Sequence, residues 1–396
     1  MVQEEDPRVV TAAQAAVDGP AERVLEDRYT DFDNAGGGGG GSSAPAIPSP
    51  YPARVDPGFY SAPKDHPLRK ALAAVSKQKA YSHMRLAIAD LTDDPKRPVY
   101  VGYDDTKQTF IASTAKLAIL QPAFMLRKAA RDAVAAITAK DDKEFFRKLA
   151  KAWASEFRRF NSGVKDANNS APVLPRILTA RRAKNTDPFT IDFNAQATGN
   201  VATAGFLARM TQSLKSSSNE NSASCIRDLG FPYIHGVAKE AGFYVKNGLW
   251  VSRDFGGRDW FPGFKGSVQA GTARSIAELL ALLAQDRLVE PGLASEIRLI
   301  MAGEGQYASS DLDHGIWDRL TDAERRTYSH QSKVGYADGV FGDCGIIRRK
   351  SAKGASLVYI AVGFGGKSHD EIKQVAAELD DCVLLAHGEP VKPAQP

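Results

Sequence analysis

Leu68, Leu72 and Val75 recur at spacings of three and four within residues 66–82, which predicts an amphipathic helix. Met84 to Leu91 alternates apolar and polar residues and reads as a strand. Pro98 to Tyr103 reads as a second strand, joined to the first through the turn Asp93-Asp94-Pro95. A long helical pattern runs from Ser113 to about Ala135, with Pro122 inside it expected to kink or interrupt it. Phe145, Phe146, Leu149, Trp153 and Phe157 form one apolar stripe at helical spacing, expected to face the core. A helix is expected from about Thr203 to Leu214, and Cys225, Ile226 and Leu229 mark another, closed by Gly230. Residues 231–266 read as glycine- and aromatic-rich loops with at most one hairpin. Ala273 to Leu288 and Ala294 to Met301 read as helices. The period then changes: Gln331 to Tyr336, Gly342 to Arg349 and Ser356 to Phe364 predict three strands of an antiparallel meander, with a turn at Lys353-Gly354. Asp370 to Ala386 closes the pattern as a helix.

Strands at the front and rear can join in one antiparallel sheet, with the helices between them forming a separate lobe. The predicted class is α+β: an antiparallel sheet flanked by helices, plus an inserted all-helical lobe. Residues 1–64 read as a flexible leader, with an unbroken glycine run from Gly36 to Gly41 and a proline-rich stretch to Pro57. Docking of that leader on the domain is the alternative. The folded domain is placed at 65–390, its helical lobe at about 113–300, with a basic insertion at about 136–200 that either caps the site or is a solvated helical extension.

Length and composition narrow the class only a little. The 396 residues, 43% hydrophobic and 25% charged, suit a globular chain with room for a large core. A formal charge of +4, spread along the chain, implies no nucleic-acid partner. Cys225, Cys344 and Cys382 show no metal-ligand spacing and read as small core residues. The seven histidines include no His-x-x-x-His pair, so neither a metal nor a cofactor is expected. No run of 18 apolar residues predicts a membrane span. The acidic, polar start lacks the features of a secretory signal, so the expected location is cytoplasmic, or periplasmic or secreted where an upstream signal is missing.

The sharpest chemical signal is Ser113-Thr114-Ala115-Lys116 at the head of a helix. One turn separates Ser113 from Lys116, so both side chains share a face. A serine hydroxyl becomes a good nucleophile when a neighbouring base takes its proton, and a neutral lysine amine can do so. The helix N-terminus adds backbone N–H groups for an oxyanion. Taken alone, the tetrapeptide also fits an N-cap serine followed by a surface lysine.

The run Phe110-Ile111-Ala112-Ser113-Thr114-Ala115-Lys116-Leu117, preceded by two strands and Val101-Gly102-Tyr103, resembles the active-site helix of serine β-lactamases and penicillin-binding proteins. That family carries Ser-x-x-Lys, Ser-x-Asn and Lys-Thr-Gly in this order. Ser217-Ser218-Asn219 fits the second element; Asn219-Glu220-Asn221 is a shifted version without the serine. Lys333-Val334-Gly335, on a predicted strand, fits the third. The resemblance implies that Ser217 relays a proton to the leaving nitrogen and that Asn219 holds the substrate's amide side chain. It implies that Lys333 adds positive potential and that Gly335 lets substrate lie against the strand. Val334 stands where the family has a hydroxyl, and it cannot donate a hydrogen bond to a substrate carboxylate. The family's deacylating glutamate has no counterpart word between Asn219 and Thr272; Asp254 and Asp259 are the candidates for that base, each also readable as a loop carboxylate paired to Arg253 or Arg258. The resemblance covers roughly residues 66–388.

It implies a serine hydrolase with an acyl-Ser113 intermediate, acting on a small or peptide-like amide or ester, β-lactamase-like hydrolysis first and a D,D-peptidase or esterase second. A glutaminase-like amidase and a catalytically inactive binding protein of the same fold are the alternatives.

Overall fold

The computed structural model describes residues 47–391, apart from 162, 164–167, 196–203, 244–247, 261–268, 303–309 and 338. Residues 1–46 of the leader and 162, 164–167 and 196–200 of the insertion therefore lie outside the described residues. The strands are β1 (Tyr60–Ser61), β2 (Arg85–Asp90), β3 (Val99–Tyr103), β4 (Thr109–Phe110), β5 (Leu178–Arg181), β6 (Thr190–Phe193), β7 (Trp250–Val251), β8 (Gln269–Gly271), β9 (Ser329–Ser332), β10 (Gly335–Ala337), β11 (Val340–Lys350) and β12 (Ser356–Gly366). The longer helices are α1 (Pro67–Ser76), α2 (Leu120–Asp132), α3 (Asp142–Ala152), α4 (Phe206–Lys215), α5 (Asn219–Leu229), α6 (Phe231–Ala241), α7 (Ala273–Ala284), α8 (Pro291–Met301), α9 (Asp311–Trp317) and α10 (His369–Ala386). None of the described helices is long and apolar enough to cross a membrane.

Front and rear strands do form one sheet, in the order β1-β3-β2-β12-β11-β10, with β9 also pairing β11. All its pairings are antiparallel except β1 with β3. β12 lies at the centre because its run of apolar residues suits burial on both faces. On one face Leu86, Ile88, Ile347, Tyr359 and Ala361 pack with Leu68, Leu72 and Val75 of α1 and Ile372, Val375 and Leu379 of α10. On the other face Ala87, Ala89, Ile346, Ile360 and Val362 pack with α7 and the helical lobe. The whole stripe from Phe145 to Phe157 is buried there, as its spacing predicts.

Three expectations are corrected. First, the pattern from Ser113 to Ala135 is two elements, a 3-10 segment over Ala112–Ile119 followed by α2. The interruption expected at Pro122 falls between Ile119 and Leu120, and Pro122 sits in the first turn of α2, where no donor is lost. Second, residues 231–266 contain α6, with Pro232 in its first turn and Gly242 in the left-handed conformation at its end. Third, Gln331 to Tyr336 is interrupted at Lys333-Val334, giving β9 and β10, both paired to β11. The Lys333 N–H still donates to the Cys344 carbonyl at 2.9 Å. Part of the leader packs on the lobe, the alternative expected for it. Tyr51 is buried, its ring 5.0 Å from that of Phe160 and 5.3 Å from that of Tyr233. Trp153 Nε1 and the Tyr233 hydroxyl donate to the carbonyls of Pro48 and Pro50, both at 2.8 Å. Proline-rich text reads as a linker, yet here it satisfies buried donors of the lobe. Tyr51→Ala is therefore expected to cost about 3 kcal/mol of stability, the scale for removing a buried aromatic, measured by chemical denaturation.

Candidate active site

The 3-10 segment is delivered to the sheet by local pairing. β4 pairs β8, and the Ile111 N–H donates to the Gln269 carbonyl at 3.0 Å. Ala112 then takes φ +44°, a left-handed conformation costly for a residue with a Cβ. Eight residues are long for a 3-10 segment, and such stretches mark constrained places in a chain. In this geometry residues three apart eclipse one another, so Ser113 and Lys116 stack on one edge more directly than in an α-helix. Ser113 is half-buried, and its hydroxyl has no hydrogen-bond partner among the described residues. Lys116 is fully buried.

The Lys116 amine donates to the Ser217 carbonyl at 2.7 Å, to Asn219 Oδ1 at 2.7 Å and to Ser217 Oγ at 3.2 Å. Ser217 occupies the turn between α4 and α5 at φ +52°. That turn is tied by the Ser218 N–H to the Gln212 carbonyl and by the Ser213 and Ser222 hydroxyls, 2.7 Å apart. Ser218 caps α5 by accepting from the Asn221 N–H. From the opposite wall Lys333 Nζ donates to Ser217 Oγ at 2.9 Å and to the carbonyl of Val334 at 2.9 Å. One hydroxyl thus bridges two buried amines. Gly335 lets β10 approach the 3-10 segment: a Cβ there would stand 2.4 Å from the Ile111 carbonyl oxygen and 2.6 Å from Thr114 Oγ1. Thr114 Oγ1 in turn donates to the Lys333 carbonyl at 3.3 Å.

The structure therefore brings Lys116, Ser217, Asn219 and Lys333 into one network, with Ser113 one turn before Lys116 and Gly335 against the segment that carries both. Val334 enters through its carbonyl; its half-buried side chain offers no donor. Asp254 is occupied elsewhere. It is fully buried, one oxygen accepting from the Gly256 and Arg258 N–H groups at 2.8 and 2.9 Å, the other from Arg227 Nε. Its partner is thus Arg227, and Arg258 reaches it only through the backbone. Asp259 pairs with Arg253 at 3.4 Å, as the alternative reading has it. Three donors tie this buried Asp254 carboxylate to its loop, taking three of its roughly four lone-pair sites.

Residues with no motif signal also contribute. The Phe255 ring lies over the Lys116 amine, 4.7 Å from ring centre to Nζ. His235 is buried and neutral, burial holding its pKa down to about 3. It accepts from the Val251 N–H through Nε2, so Nδ1 carries the proton given to the Phe231 carbonyl. Its ring stacks 4.3 Å from that of Trp260, fixing the floor beneath the 252–260 loop. Asp343 is buried behind Lys333 and accepts from Ser310 Oγ, the Leu312 N–H and the Cys344 N–H at 2.7–2.9 Å. A carboxylate inside the apolar run Gly342 to Ile347 was the sequence signal for it. Among the described residues, no three His, Cys, Asp or Glu side chains are grouped to hold a metal.

Burial pushes the Lys333 ammonium down to about 8, and the Asp343 carboxylate pulls it partly back up. Burial pushes Asp343 up to about 6 against its three hydrogen bonds. Between these values Lys333 is a cation beside an anion; above about 8 it loses its proton. If the ammonium form serves the reaction, kcat/KM falls as pH rises through about 8. Asp343→Asn removes the charge that raises Lys333, so that alkaline limb is expected to move to lower pH, read from pH–rate profiles of an activated ester.

No family model matches the sequence, and no curated protein does. Among solved structures the fold is similar to that of a β-lactamase from Sphaerobacter thermophilus, with 15% identity, 80% of this chain and 97% of that chain covered, and a TM-score of 0.48. It is similar to a β-lactamase from Burkholderia ambifaria at 15% identity, covering 79% and 98%, with a TM-score of 0.45. PBP-A matches at 16% identity, covering 83% and 99%, with a TM-score of 0.45. Likeness at this level carries neither a residue role nor an activity to this chain.

Proposed function

We propose that this chain is a serine hydrolase that acts on an amide or ester through an acyl-Ser113 intermediate. The observation that carries the reading is the Lys116–Ser217–Lys333 relay, with Ser113 eclipsing Lys116 one 3-10 turn earlier. In acylation, Ser113 Oγ bonds to the substrate carbonyl carbon while its proton passes to Lys116, which must first release one of the three protons it donates in the resting network. Ser217, bridging the two amines, hands a proton to the departing nitrogen or oxygen as the carbon–leaving-group bond breaks, and takes its replacement from protonated Lys116. Lys333, as the ammonium, orients that hydroxyl. Ser113 stands in the first turn of its 3-10 segment, where backbone N–H groups lack partners within the helix and can face an oxyanion. Asn219 and Gly335 flank the substrate. Val334 offers no side-chain donor to a substrate carboxylate, which favours an esterase- or amidase-like range over rapid penicillin hydrolysis. The three donors that hold the Asp254 carboxylate favour a second reading, a catalytically inactive binding protein of the same fold.

Intact mass after exposure to a fluorophosphonate and to benzylpenicillin separates the readings. A single adduct with the fluorophosphonate supports the hydrolase. No adduct with either, after long incubation, supports the binding protein.

A further inference from the structure

Phe255 is a bulky residue at φ +63°, a left-handed conformation that side chains with a Cβ avoid. Strain of this kind persists only where surrounding structure enforces it. Here the enforcement is visible: the Asp254 carboxylate gathers the Gly256 N–H, the Arg258 N–H and Arg227, and the Asp254 N–H donates back to the Arg258 carbonyl at 3.0 Å. Trp260 closes the loop by donating its N–H to the Ser252 carbonyl at 2.8 Å. The ring so placed is half-buried against the core and covers one side of the Lys116 amine. The Ser217 carbonyl and hydroxyl and Asn219 Oδ1 stand at other sides.

We propose that Phe255 is a positioning residue that prolongs the life of the acyl-Ser113 adduct by keeping water from Lys116. The inference rests on the acyl-serine reading above. Release of the acyl group requires a water oxygen to bond to the acyl carbon while the carbon–Oγ bond of Ser113 breaks. The water proton passes to the neutral Lys116 amine, which returns a proton to Ser113 Oγ. A water must therefore lie against both the ester carbon and the amine, and the Phe255 ring takes up space on that amine. Acylation needs no water, because the attacking oxygen is that of Ser113 itself. The ring thus slows the second step and spares the first.

The test uses the full chain and p-nitrophenyl acetate, following nitrophenolate release and the acetyl adduct by intact mass. The unaltered chain should give a burst of nitrophenolate and a slowly decaying adduct. Phe255→Gly removes the ring and suits the positive φ, so folding is not at risk from the backbone. It should speed adduct decay by about ten-fold or more while the burst rate stays within about three-fold. Phe255→Tyr keeps the ring and should keep the original lifetime. Equal decay rates in the original and Phe255→Gly chains, or a Phe255→Tyr chain as fast as Phe255→Gly, would overturn the proposal. Absence of a burst in the original chain, matched by Ser113→Ala, would instead remove the acyl-serine reading and this inference with it.

Discussion

Ser113→Ala is expected to abolish covalent labelling by a fluorophosphonate and to lower ester turnover by ~10³-fold or more, the scale on which removal of a nucleophile acts. The substitution deletes one oxygen and nothing else of substance. Ser113 is half-buried and its hydroxyl holds no partner among the described residues, so no buried donor or acceptor is orphaned. Alanine suits the segment, which already carries Ala112, Ala115 and Ala118. Stability should therefore move by about 0.5 kcal/mol or less. The combination of a large catalytic loss and an unchanged denaturation midpoint is the signature of a reacting atom. A structural N-cap serine would give the opposite pairing, lost stability with labelling intact.

Lys116→Met is expected to lower the acylation rate by ~10² to 10⁴-fold, the range for a positioned proton acceptor. Methionine approximates the buried stem and removes the amine. It also leaves the Ser217 carbonyl and Asn219 Oδ1 without their donor, which should cost about 1–3 kcal/mol. That cost falls on the turn holding Ser217, so part of the kinetic loss comes from a displaced relay. Single-turnover rates with p-nitrophenyl acetate, set beside urea denaturation of the same variant, separate the two. An acylation rate close to that of the unaltered chain would exclude Lys116 as the acceptor.

Much of the sheet was legible because its central strands are long apolar runs bounded by polar turns. β11, β12 and α10 lie within two residues of the expected bounds. α6 was not, although Pro232 and Gly242 mark its ends. It is buried nearly all round, with Gly236 in close contact with Tyr51 and Phe160, so it has no polar face to produce a helical stripe. The β5–β6 hairpin was missed because its two four-residue strands are separated by a polar loop of eight, longer than the turns that sequence patterns reveal.

In the site, the serines and lysines stood out because their order along the chain matches a known arrangement. The place of Phe255 did not, since its backbone conformation is imposed by Asp254 and Arg227 across a tertiary contact. The 3-10 winding that eclipses Ser113 with Lys116 was likewise invisible, since the same residues suit an α-helix equally well. The partners of Asp254 were equally hidden, since its three donors come together only in the folded loop.

The most direct test of the acyl-serine account is peptide mapping of the fluorophosphonate-treated chain by tandem mass spectrometry. The account requires the phosphonyl group on Ser113, and no label in the Ser113→Ala chain. A label on Ser217 or any other residue, or a chain that stays unmodified while a reference serine hydrolase is fully labelled, would contradict it.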